Sequence, residues 1–253
     1  MDISGKAFVI TGSASGLGAA TAELIHSAGG NVVIADLDSE HGRAVAEKFS
    51  GIYVNTDVTS EDSVKNLFSR AIEKYGSVSG LVNCAGIAIG EKVVGKTGAH
   101  SLQSFTKVIS VNLIGTFNAI RIFAEHAVNN SPDQGKERGV IVNTSSVAAF
   151  EGQIGQAAYS ASKGGIVGMT LPIARDLAPF GIRVVTIAPG IFDTPLLGKM
   201  PEEVRESLGK QVPFPSRLGK PSEFAALAVH IIENPMLNGE TIRLDGAIRM
   251  QPR

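Results

Sequence analysis

Short apolar runs alternate with longer segments of mixed polarity along the whole chain. The runs are rich in Val and Ile, and glycine or small polar residues bound most of them. Such runs are typical of strands that are buried on both faces of a parallel sheet. We assign strands to residues 6–11, 31–35, 51–55, 79–83, 139–143, 182–187 and 240–244.

The segments between the runs carry helical patterns. Alternation of strands and helices predicts an α/β fold of the Rossmann type, with a doubly wound parallel sheet, flanking helices and right-handed crossovers. With 253 residues, 43% of them hydrophobic, and with no repeat or linker, we expect one domain over residues 1–253. The predicted helices cover residues 17–28, 60–75, 102–129, 157–178 and 221–233.

Charge and composition exclude several classes of partner. The chain carries 23 Lys and Arg against 24 Asp and Glu, so its net charge of -1 offers no electrostatic basis for binding nucleic acid or a membrane surface. No run approaches ~18 uninterrupted apolar residues, so we expect no membrane span. Cys84 is the single cysteine, which rules out an internal disulfide.

A glycine-rich turn follows the first predicted strand. Gly12, Gly16 and Gly18 are spaced Gly-x-x-x-Gly-x-Gly directly before a predicted helix. Glycines let the backbone approach a pyrophosphate, and the helix amino terminus offers free N–H groups and a partial positive charge. The pattern therefore predicts a dinucleotide phosphate site, with a plain tight turn as the alternative.

Asp36 follows the second predicted strand, 24 residues after Gly12. Near this distance an acid can hydrogen-bond the ribose hydroxyls of NAD, whereas the 2′-phosphate of NADP would meet a like charge. No Lys or Arg lies in the glycine turn or directly after Asp36. NAD is therefore favoured over NADP. The alternative is an acidic helix amino terminus, since Asp38 and Glu40 follow.

A hydroxyl, a phenol and an ammonium are predicted to meet at the sheet edge where ligands bind. Ser146 lies just past the carboxyl end of the strand at 139–143. Tyr159 and Lys163 are four residues apart and so share one helix face. A phenol with a pKa near ~10 is a poor base at neutral pH, but a close ammonium favours the phenolate. Such a cluster can exchange a proton with an alcohol, although this spacing alone is more often a solvated face.

Six motifs, in this order, resemble those of the short-chain dehydrogenase/reductase family. Cys84 departs from the second Asn of many members. Residues 156–170, 212–219, 231–239 and 243–252 resemble a subgroup that acts on 3-hydroxyacyl-CoA esters and hydroxysteroids and shares this Cys. The six motifs are Thr11-Gly12-x-x-x-Gly16-x-Gly18, Asn83-x-Ala85-Gly86, Asn112, Ser146, Tyr159-x-x-x-Lys163 and Pro189-Gly190.

The resemblance implies a catalytic role for each polar residue. Tyr159 would be the acid/base, Lys163 would lower its pKa and hold the nicotinamide ribose, and Ser146 would hydrogen-bond the substrate oxygen. Asn112 would bend its helix and hold a water linked to Lys163; the alternative is an amide satisfied in the core. Gln156, three residues before Tyr159, could also reach the substrate.

The resemblance also implies NAD as the cofactor and no metal. Asp57 and Val58 would hold the adenine, and Thr194 would bind the carboxamide. The neighbouring Ser145 would support its turn rather than the reaction. The expected cofactor-binding residues are Gly12, Ser15, Gly16, Leu17, Gly18, Asp36, Asp57, Val58, Cys84, Ala85, Gly86, Tyr159, Lys163, Pro189, Gly190, Phe192 and Thr194.

Two further segments bear on the substrate. Residues 87–100 predict a long loop whose Lys92, Lys96 and His100 could meet the phosphates of CoA, or could simply be solvated. Residues 191–211 are apolar and proline-marked at their start and predict a flexible lid. The lid residues would be Phe192, Leu196, Leu197 and Met200.

We therefore expect an NAD-dependent oxidoreductase that interconverts a secondary alcohol and a ketone, most concretely a short-chain 3-hydroxyacyl-CoA and its 3-oxoacyl-CoA. A hydroxysteroid or another secondary alcohol is the alternative substrate. A catalytically idle NAD-binding subunit is a further alternative, against which the intact Ser146, Tyr159, Lys163 and Asn112 argue. The resemblance implies a homotetramer. The first residues show no targeting pattern, so a cytoplasmic location is expected, with the mitochondrial matrix as the alternative.

Overall fold

The computed structural model describes residues 1–96, 98–195, 197–198 and 201–252. Its main sheet has seven strands, each parallel to its neighbours, which confirms the predicted doubly wound α/β fold. A small antiparallel hairpin, absent from the prediction, lies in the long loop. The strands are β1 (Ala7–Thr11), β2 (Asn31–Asp36), β3 (Ile52–Asn55), β4 (Gly80–Asn83), β5 (Val94–Gly95), β6 (Gly98–Ala99), β7 (Gly139–Thr144), β8 (Ile182–Pro189) and β9 (Thr241–Leu244).

The strand order determines where a ligand can bind. The order is β3-β2-β1-β4-β7-β8-β9, so β1 pairs with β2 on one side and with β4 on the other. The chain reverses its direction of winding between β1 and β4. A crevice therefore opens outside the carboxyl ends of these two strands, which is where ligands bind in open α/β sheets.

The helices lie on both faces of the sheet. Each of the five predicted helices is present within a few residues, while α2 and α7 are additional. The Asp38 side chain accepts a hydrogen bond from His41 N and caps α2. The helices are α1 (Gly16–Ser27), α2 (Ser39–Lys48), α3 (Glu61–Tyr75), α4 (Leu102–Ile109), α5 (Gly115–Ala127), α6 (Ala157–Leu177), α7 (Glu202–Lys210) and α8 (Pro221–Glu233).

Two hydrophobic cores sandwich the sheet. Phe8 of β1 belongs to one core, together with Phe224 of α8. The next residue, Val9, belongs to the other core, together with Phe68 of α3 and Phe123 of α5. All five side chains are fully buried. Because successive residues of a strand point to opposite faces, burial of both faces explains why the strands are continuous apolar runs.

The region Leu102–Ala127 is long and apolar enough, by length and composition alone, to cross a membrane. Half of its most apolar window is buried inside the protein. Val108, Ile120 and Phe123 are among the buried side chains. Packing against the core therefore accounts for part of this apolar composition. A π-helical segment, Ser110–Ile114, joins α4 to α5.

Candidate active site

Two cavities adjoin at the carboxyl edge of the sheet. The first, of about 510 Å³, lies over the turn between β1 and α1; we call it the cofactor cavity. The second, of about 490 Å³, lies between β7, α6 and the segment after β8; we call it the catalytic cavity. Both cavities are lined by Leu17, Cys84, Gly86, Ile87 and Thr194, so a bound molecule could extend from one into the other.

The glycines of the first turn are required by close backbone contacts. A Cβ on Gly12 would lie 2.5 Å from Ala85 N, and φ at Gly12 is +65°. A Cβ on Gly18 would overlap the Gly12 carbonyl oxygen. Within the described residues the Ser15 side chain makes no capping hydrogen bond to α1. The first amides of α1 therefore remain available to an anion, as expected of a phosphate site.

Asp36 lies at the end of β2 and lines the cofactor cavity. Its Oδ2 accepts a hydrogen bond from Ala14 N at 2.9 Å, and its Oδ1 accepts one from Asp38 N at 3.1 Å. The helix that follows is capped by Asp38 rather than by Asp36. The carboxylate is thus fixed beside the glycine turn, and capping of α2 does not account for it.

All seventeen residues predicted to bind the cofactor line one of the two cavities. The exposed cation Lys107 also lines the cofactor cavity, and sequence reasoning missed it. The residues present therefore fit a dinucleotide. Among the described residues, no cluster of His, Cys, Asp and Glu could hold a metal ion.

The catalytic cavity brings together Ser146, Gln156, Tyr159 and Lys163. Ser146 Oγ accepts a hydrogen bond from Ala148 N at 3.1 Å, which fixes the oxygen and leaves its proton free to be donated. This grouping follows from the element bounds. Ser146 lies just past β7, which ends at Thr144, and both Tyr159 and Lys163 lie on α6, which begins at Ala157.

Ser145 has a supporting role, in agreement with the prediction. Its hydroxyl donates a hydrogen bond to the Lys163 carbonyl oxygen at 2.9 Å, and its backbone N donates to Ile187 O at 2.8 Å. These bonds tie the carboxyl end of β7 to α6 and to β8. Ser145 is fully buried. It therefore holds the elements that carry the catalytic groups.

Burial shifts the pKa values of the phenol and the ammonium in opposite directions. Burial raises the pKa of Tyr159, and the Ser146 hydroxyl offsets part of that rise. Burial lowers the pKa of Lys163 to about 8. The expectation that Lys163 lowers the Tyr159 pKa is not met in this structure. Lys163 Nζ donates to Thr144 O at 2.8 Å and lies 5.7 Å from the Tyr159 ring centre, so burial dominates.

Asn112 lies in the π-helical segment, so the predicted local change in its helix is present. Its side chain is fully buried. Its amide donates to Ile87 O and to Ser162 Oγ, and its Oδ1 accepts from Ile87 N. Ser162 Oγ in turn donates to the Tyr159 carbonyl oxygen at 2.7 Å. The structure thus favours the alternative, in which the hydrogen bonds of the Asn112 amide are satisfied in the core. Through Ser162, Asn112 is also linked to the backbone of Tyr159.

The predicted lid is only partly supported. Phe192 is buried in the core, where its ring packs against Gly219, so in this structure it forms a wall of the catalytic cavity. Leu197 also lines the cavity. Leu196 and Met200 lie outside the described residues. The second half of this segment forms α7, since residues 202–210 carry a helical pattern that we did not assign.

Several residues that line the catalytic cavity were given no role in the sequence analysis. Leu208 of α7 and Met250 near the carboxyl terminus both line the catalytic cavity. Ile89 and Val147 lie close to predicted motifs and could have been found by proximity. No local pattern assigns Leu208 or Met250 to the cavity, because only the packing of distant segments brings them to the site.

The long loop at 87–100 borders the catalytic cavity. Glu91 N donates to Gly155 O at 2.8 Å, and Glu91 Oε1 accepts from Ser101 N at 2.6 Å. A groove of about 570 Å³ lies between this loop and residues 148–157. Lys92 lines the groove, which shares Ala148, Gln153 and Gln156 with the catalytic cavity.

The fold and the site together define a class of enzyme. Residues 6–205 match the family model described as short chain dehydrogenase, and the chain belongs to that family of oxidoreductases. It is 60% identical to the 3-hydroxyacyl-CoA dehydrogenase type-2 of Bos taurus, over 99% of this chain and 97% of the bovine protein.

Solved structures agree with this assignment. A crystal structure of 3-hydroxyacyl-CoA dehydrogenase type-2 from Mycobacterium avium is 41% identical, with a TM-score of 0.92 over 98% of this chain and 97% of that chain. The 3-ketoacyl-(acyl-carrier-protein) reductase from Brucella melitensis, solved in complex with NADH, is 30% identical. Its TM-score is 0.87 over 98% of this chain and 100% of that chain.

Proposed function

We propose that this dehydrogenase uses NAD to oxidise short-chain 3-hydroxyacyl-CoA esters to 3-oxoacyl-CoA esters, and catalyses the reverse reduction. The observation that carries the proposal is the placement of Ser146, Tyr159 and Lys163 in one cavity that adjoins a dinucleotide-sized cavity. The substrate class is supported by the names of the bovine and mycobacterial relatives.

The residues of the catalytic cavity match the needs of this reaction. The oxidised nicotinamide, when bound, accepts a hydride from the carbon that bears the hydroxyl group. Tyr159, as the phenolate, takes the hydroxyl proton, so that alcohol and NAD become ketone, NADH and a proton. Ser146 donates a hydrogen bond to the substrate oxygen, a contact worth ~2.7–4 kcal/mol by comparison with oxyanion-hole donors.

The proposed role of Lys163 depends on the positive charge of its ammonium group and on the burial of that group. Its ammonium is buried, so an electrostatic interaction with a bound ribose or with a developing phenolate is stronger than in water. The Thr144 carbonyl oxygen holds it in the cavity. We infer that Lys163 binds the nicotinamide ribose and stabilises the phenolate when the site is filled.

The choice of NAD over NADP rests on Asp36. Its carboxylate lines the cofactor cavity beside the glycine turn, where it can accept hydrogen bonds from ribose hydroxyls. A 2′-phosphate at the same place would meet a like charge. The cation Lys107 lines the same cavity but comes from a different element. Lys107 lies on α4, whereas Asp36 lies at the end of β2.

The groove beside the loop at 87–100 supports a CoA ester in particular. It adjoins the catalytic cavity through Gln153 and Gln156, so it offers a path for the long arm of the thioester. Lys92 lies on this path, and Lys96 lies at the tip of the β5–β6 hairpin. Both side chains are exposed and could pair with phosphate groups.

We also infer that the chain assembles as a homotetramer. Helices α4, α5 and α6 and the π-helical segment expose large apolar side chains, which water disfavours and a second copy could cover. The exposed apolar side chains are Leu102, Ile114, Phe117 and Leu171.

We propose the cytoplasm as the location of the protein.

A substrate panel tests the proposal. NADH formation is measured with 3-hydroxybutyryl-CoA, longer 3-hydroxyacyl-CoA esters, hydroxysteroids and simple secondary alcohols. We expect the highest kcat/KM with a short-chain acyl-CoA. A hydroxysteroid or a simple alcohol preferred over every acyl-CoA would replace the proposed substrate, and no turnover with any substrate would indicate an idle NAD-binding subunit.

A further inference from the structure

The segment that follows β9 runs back across the catalytic side of the molecule. We call residues 247–252 the C-terminal strap. Gly246 and Ala247 both have left-handed backbone angles, with φ of +59° and +67°. A Cβ on Gly246 would lie 2.5 Å from a Val212 methyl group. Ile248 is buried to 1% exposure. The strap therefore leaves β9 in a defined direction and is anchored at its start.

An ion pair joins this end of β9 to the loop that precedes α6. The guanidinium of Arg243 donates two hydrogen bonds to the Glu151 carboxylate, at 2.9 and 3.0 Å. Both side chains are about three-quarters buried. The pair holds the pKa of Glu151 below its usual range. Glu151 Oε2 also accepts a hydrogen bond from the backbone N of Met250 at 3.3 Å.

Two further hydrogen bonds hold the strap against the same loop. Gln153 Nε2 donates to the Gln251 carbonyl oxygen at 3.0 Å. Ile154 N donates to the Pro252 carbonyl oxygen at 3.0 Å. Strap and loop are thus bonded at Glu151, Gln153 and Ile154, so displacement of one would move the other.

Both partners contribute to the wall of the catalytic cavity. Met250 of the strap lines it, and so do Gln153 and Gln156 of the loop. Gln156 Oε1 accepts a hydrogen bond from the backbone N of Gln153 at 3.0 Å, so the Gln156 side chain is held against the loop backbone. The cavity is the one that contains Ser146 and Tyr159. Neither Met250 nor Glu151 has a role in the proposed hydride and proton transfers.

We propose that Met250 is a specificity-determining residue and that Glu151 is the positioning residue that holds it against the substrate. The ligand is the apolar part of the substrate beyond the reacting carbon, in particular the acyl chain of a 3-hydroxyacyl-CoA. This inference rests on the proposed function for the chemical class of that chain. The position of the strap does not depend on that function, since it follows from the ion pair and the hydrogen bonds described above.

The chemistry of the two residues fits these roles. Hydride transfer involves only the carbon that bears the hydroxyl, so preference among alcohols must come from the rest of the cavity wall. Methionine is unbranched and flexible, and its side chain can adapt to chains of different shape. The Glu151 carboxylate reaches both Arg243 and the backbone of Met250, so its loss loosens the strap at Met250 without removing a catalytic group.

The first experiment tests Met250 with a series of esters from 3-hydroxybutyryl-CoA to 3-hydroxydodecanoyl-CoA. The ratio of kcat/KM for long over short chains should rise about tenfold in Met250→Ala and fall about tenfold in Met250→Phe, in line with the effect of one or two methylene groups in an apolar pocket. Met250→Leu should keep the wild-type ratio. The matched control is Met236→Ala, since Met236 is 90% exposed and lines neither cavity.

The second experiment tests Glu151 through a split between KM and kcat. In Glu151→Gln, KM for the preferred ester should rise about tenfold, while kcat at saturation and the Kd for NADH stay within about twofold of wild type. Glu73→Gln is the control, because it removes one partner of the exposed Arg70–Glu73 pair on α3. A change in Tm alone, with KM unaltered, would make the Glu151–Arg243 pair merely structural and overturn its positioning role.

The outcomes separate this inference from the proposed function. A wild-type enzyme without activity on any acyl-CoA refutes the proposed substrate, and the Met250 variants are then compared on the alcohols that it does accept. A chain-length or alcohol profile that is identical in wild type, Met250→Ala and Met250→Phe overturns the role of Met250. Binding of NADH by each variant shows that it is folded, and Met250→Leu provides the conservative substitution if the larger change prevents folding.

Discussion

At the residue scale, we propose Tyr159 as the group that exchanges the proton. Among the described residues that line the catalytic cavity it is the one tyrosine, and it lies there with Ser146 and Lys163. Tyr159→Phe should bind NAD as the wild type does and lose turnover by at least ~10²–10⁴-fold, because the substitution removes the hydroxyl that is proposed to exchange the proton. Steady-state rates together with an NADH titration measure both effects.

Tyr75→Phe is the matched control for that variant. The Tyr75 hydroxyl is buried on α3 and has no hydrogen-bond partner among the described residues. Its removal should leave turnover unchanged. Near-normal activity of a folded Tyr159→Phe protein would contradict the proposed role of Tyr159.

Lys163 allows a pH prediction with a definite sign. Burial lowers its pKa from 10.5 to about 8, so between these values the unfolded chain binds a proton that the folded chain does not. The free energy of unfolding of the wild type should therefore rise with pH between about 8 and 10.5, relative to Lys163→Met. The rise should be on the order of 3 kcal/mol, at ~1.4 kcal/mol per pKa unit.

Urea unfolding of both proteins across this pH range measures the difference. Lys163→Met keeps the length of the side chain, and all other titrating groups are common to the two proteins, so their contributions cancel. Parallel pH profiles would show that Lys163 keeps an ordinary pKa in the folded protein.

Asp36 governs the third prediction at this scale. The wild type should bind NAD more tightly than NADP, and Asp36→Arg should shift the ratio of the two affinities toward NADP by about tenfold or more, ~1.4 kcal/mol. The reason is that a like charge beside the 2′-phosphate becomes a pairing charge. Glu40→Arg makes the same charge change on the exposed face of α2 and should leave the ratio unaltered. Tighter binding of NADP by the wild type would refute the assignment.

At the element scale, the loop at 87–100 brings positive charge to the groove beside the catalytic cavity. Its Lys92 borders the groove that leads out of the catalytic cavity, and Lys96 lies on the exposed hairpin. In the variant Lys92→Ala with Lys96→Ala, KM for an acyl-CoA should rise several-fold at low salt. A small uncharged alcohol should be unaffected. The difference should fade as salt increases, because exposed charges are screened over roughly 10 Å at ~0.1 M.

The control is the double variant Lys48→Ala with Lys74→Ala, which removes two exposed charges from α2 and α3. Equal KM values for an acyl-CoA in the loop variant and the wild type at low salt would exclude the loop from substrate binding. The assignment as a dehydrogenase would remain.

At the scale of the whole molecule, the exposed apolar residues of neighbouring helices bear on assembly. Light scattering should give a mass of four times the 26.4 kDa of one chain. Phe117 is 48% exposed on α5, so Phe117→Glu should lower that mass by placing a charge in the interface. Lys74→Glu, a charge change on an exposed polar position of α3, should not. A wild-type mass of one chain would refute the tetramer.

The sequence by itself determined the sheet and most of the site. Each strand is buried on both faces and therefore has to be apolar throughout, so its position can be read directly from the chain. Residues such as Asp36 and Ser146 lie at or just past the carboxyl end of a strand, and parallel strands bring their carboxyl ends to one edge. Local spacing was therefore enough to predict many of the residues that line the two cavities.

Tertiary structure alone decided the remaining features. Leu208 and Met250 reach the catalytic cavity through packing of segments far apart in the chain, which leaves no local pattern. The pKa of Tyr159 is raised by burial, which outweighs the lowering effect of the Ser146 hydroxyl. The Asn112 amide is satisfied by partners at Ile87 and Ser162, because folding brings α6 and the loop after β4 to the π-helical segment. Burial and hydrogen-bond partners depend on the complete three-dimensional surroundings, which sequence spacing does not contain.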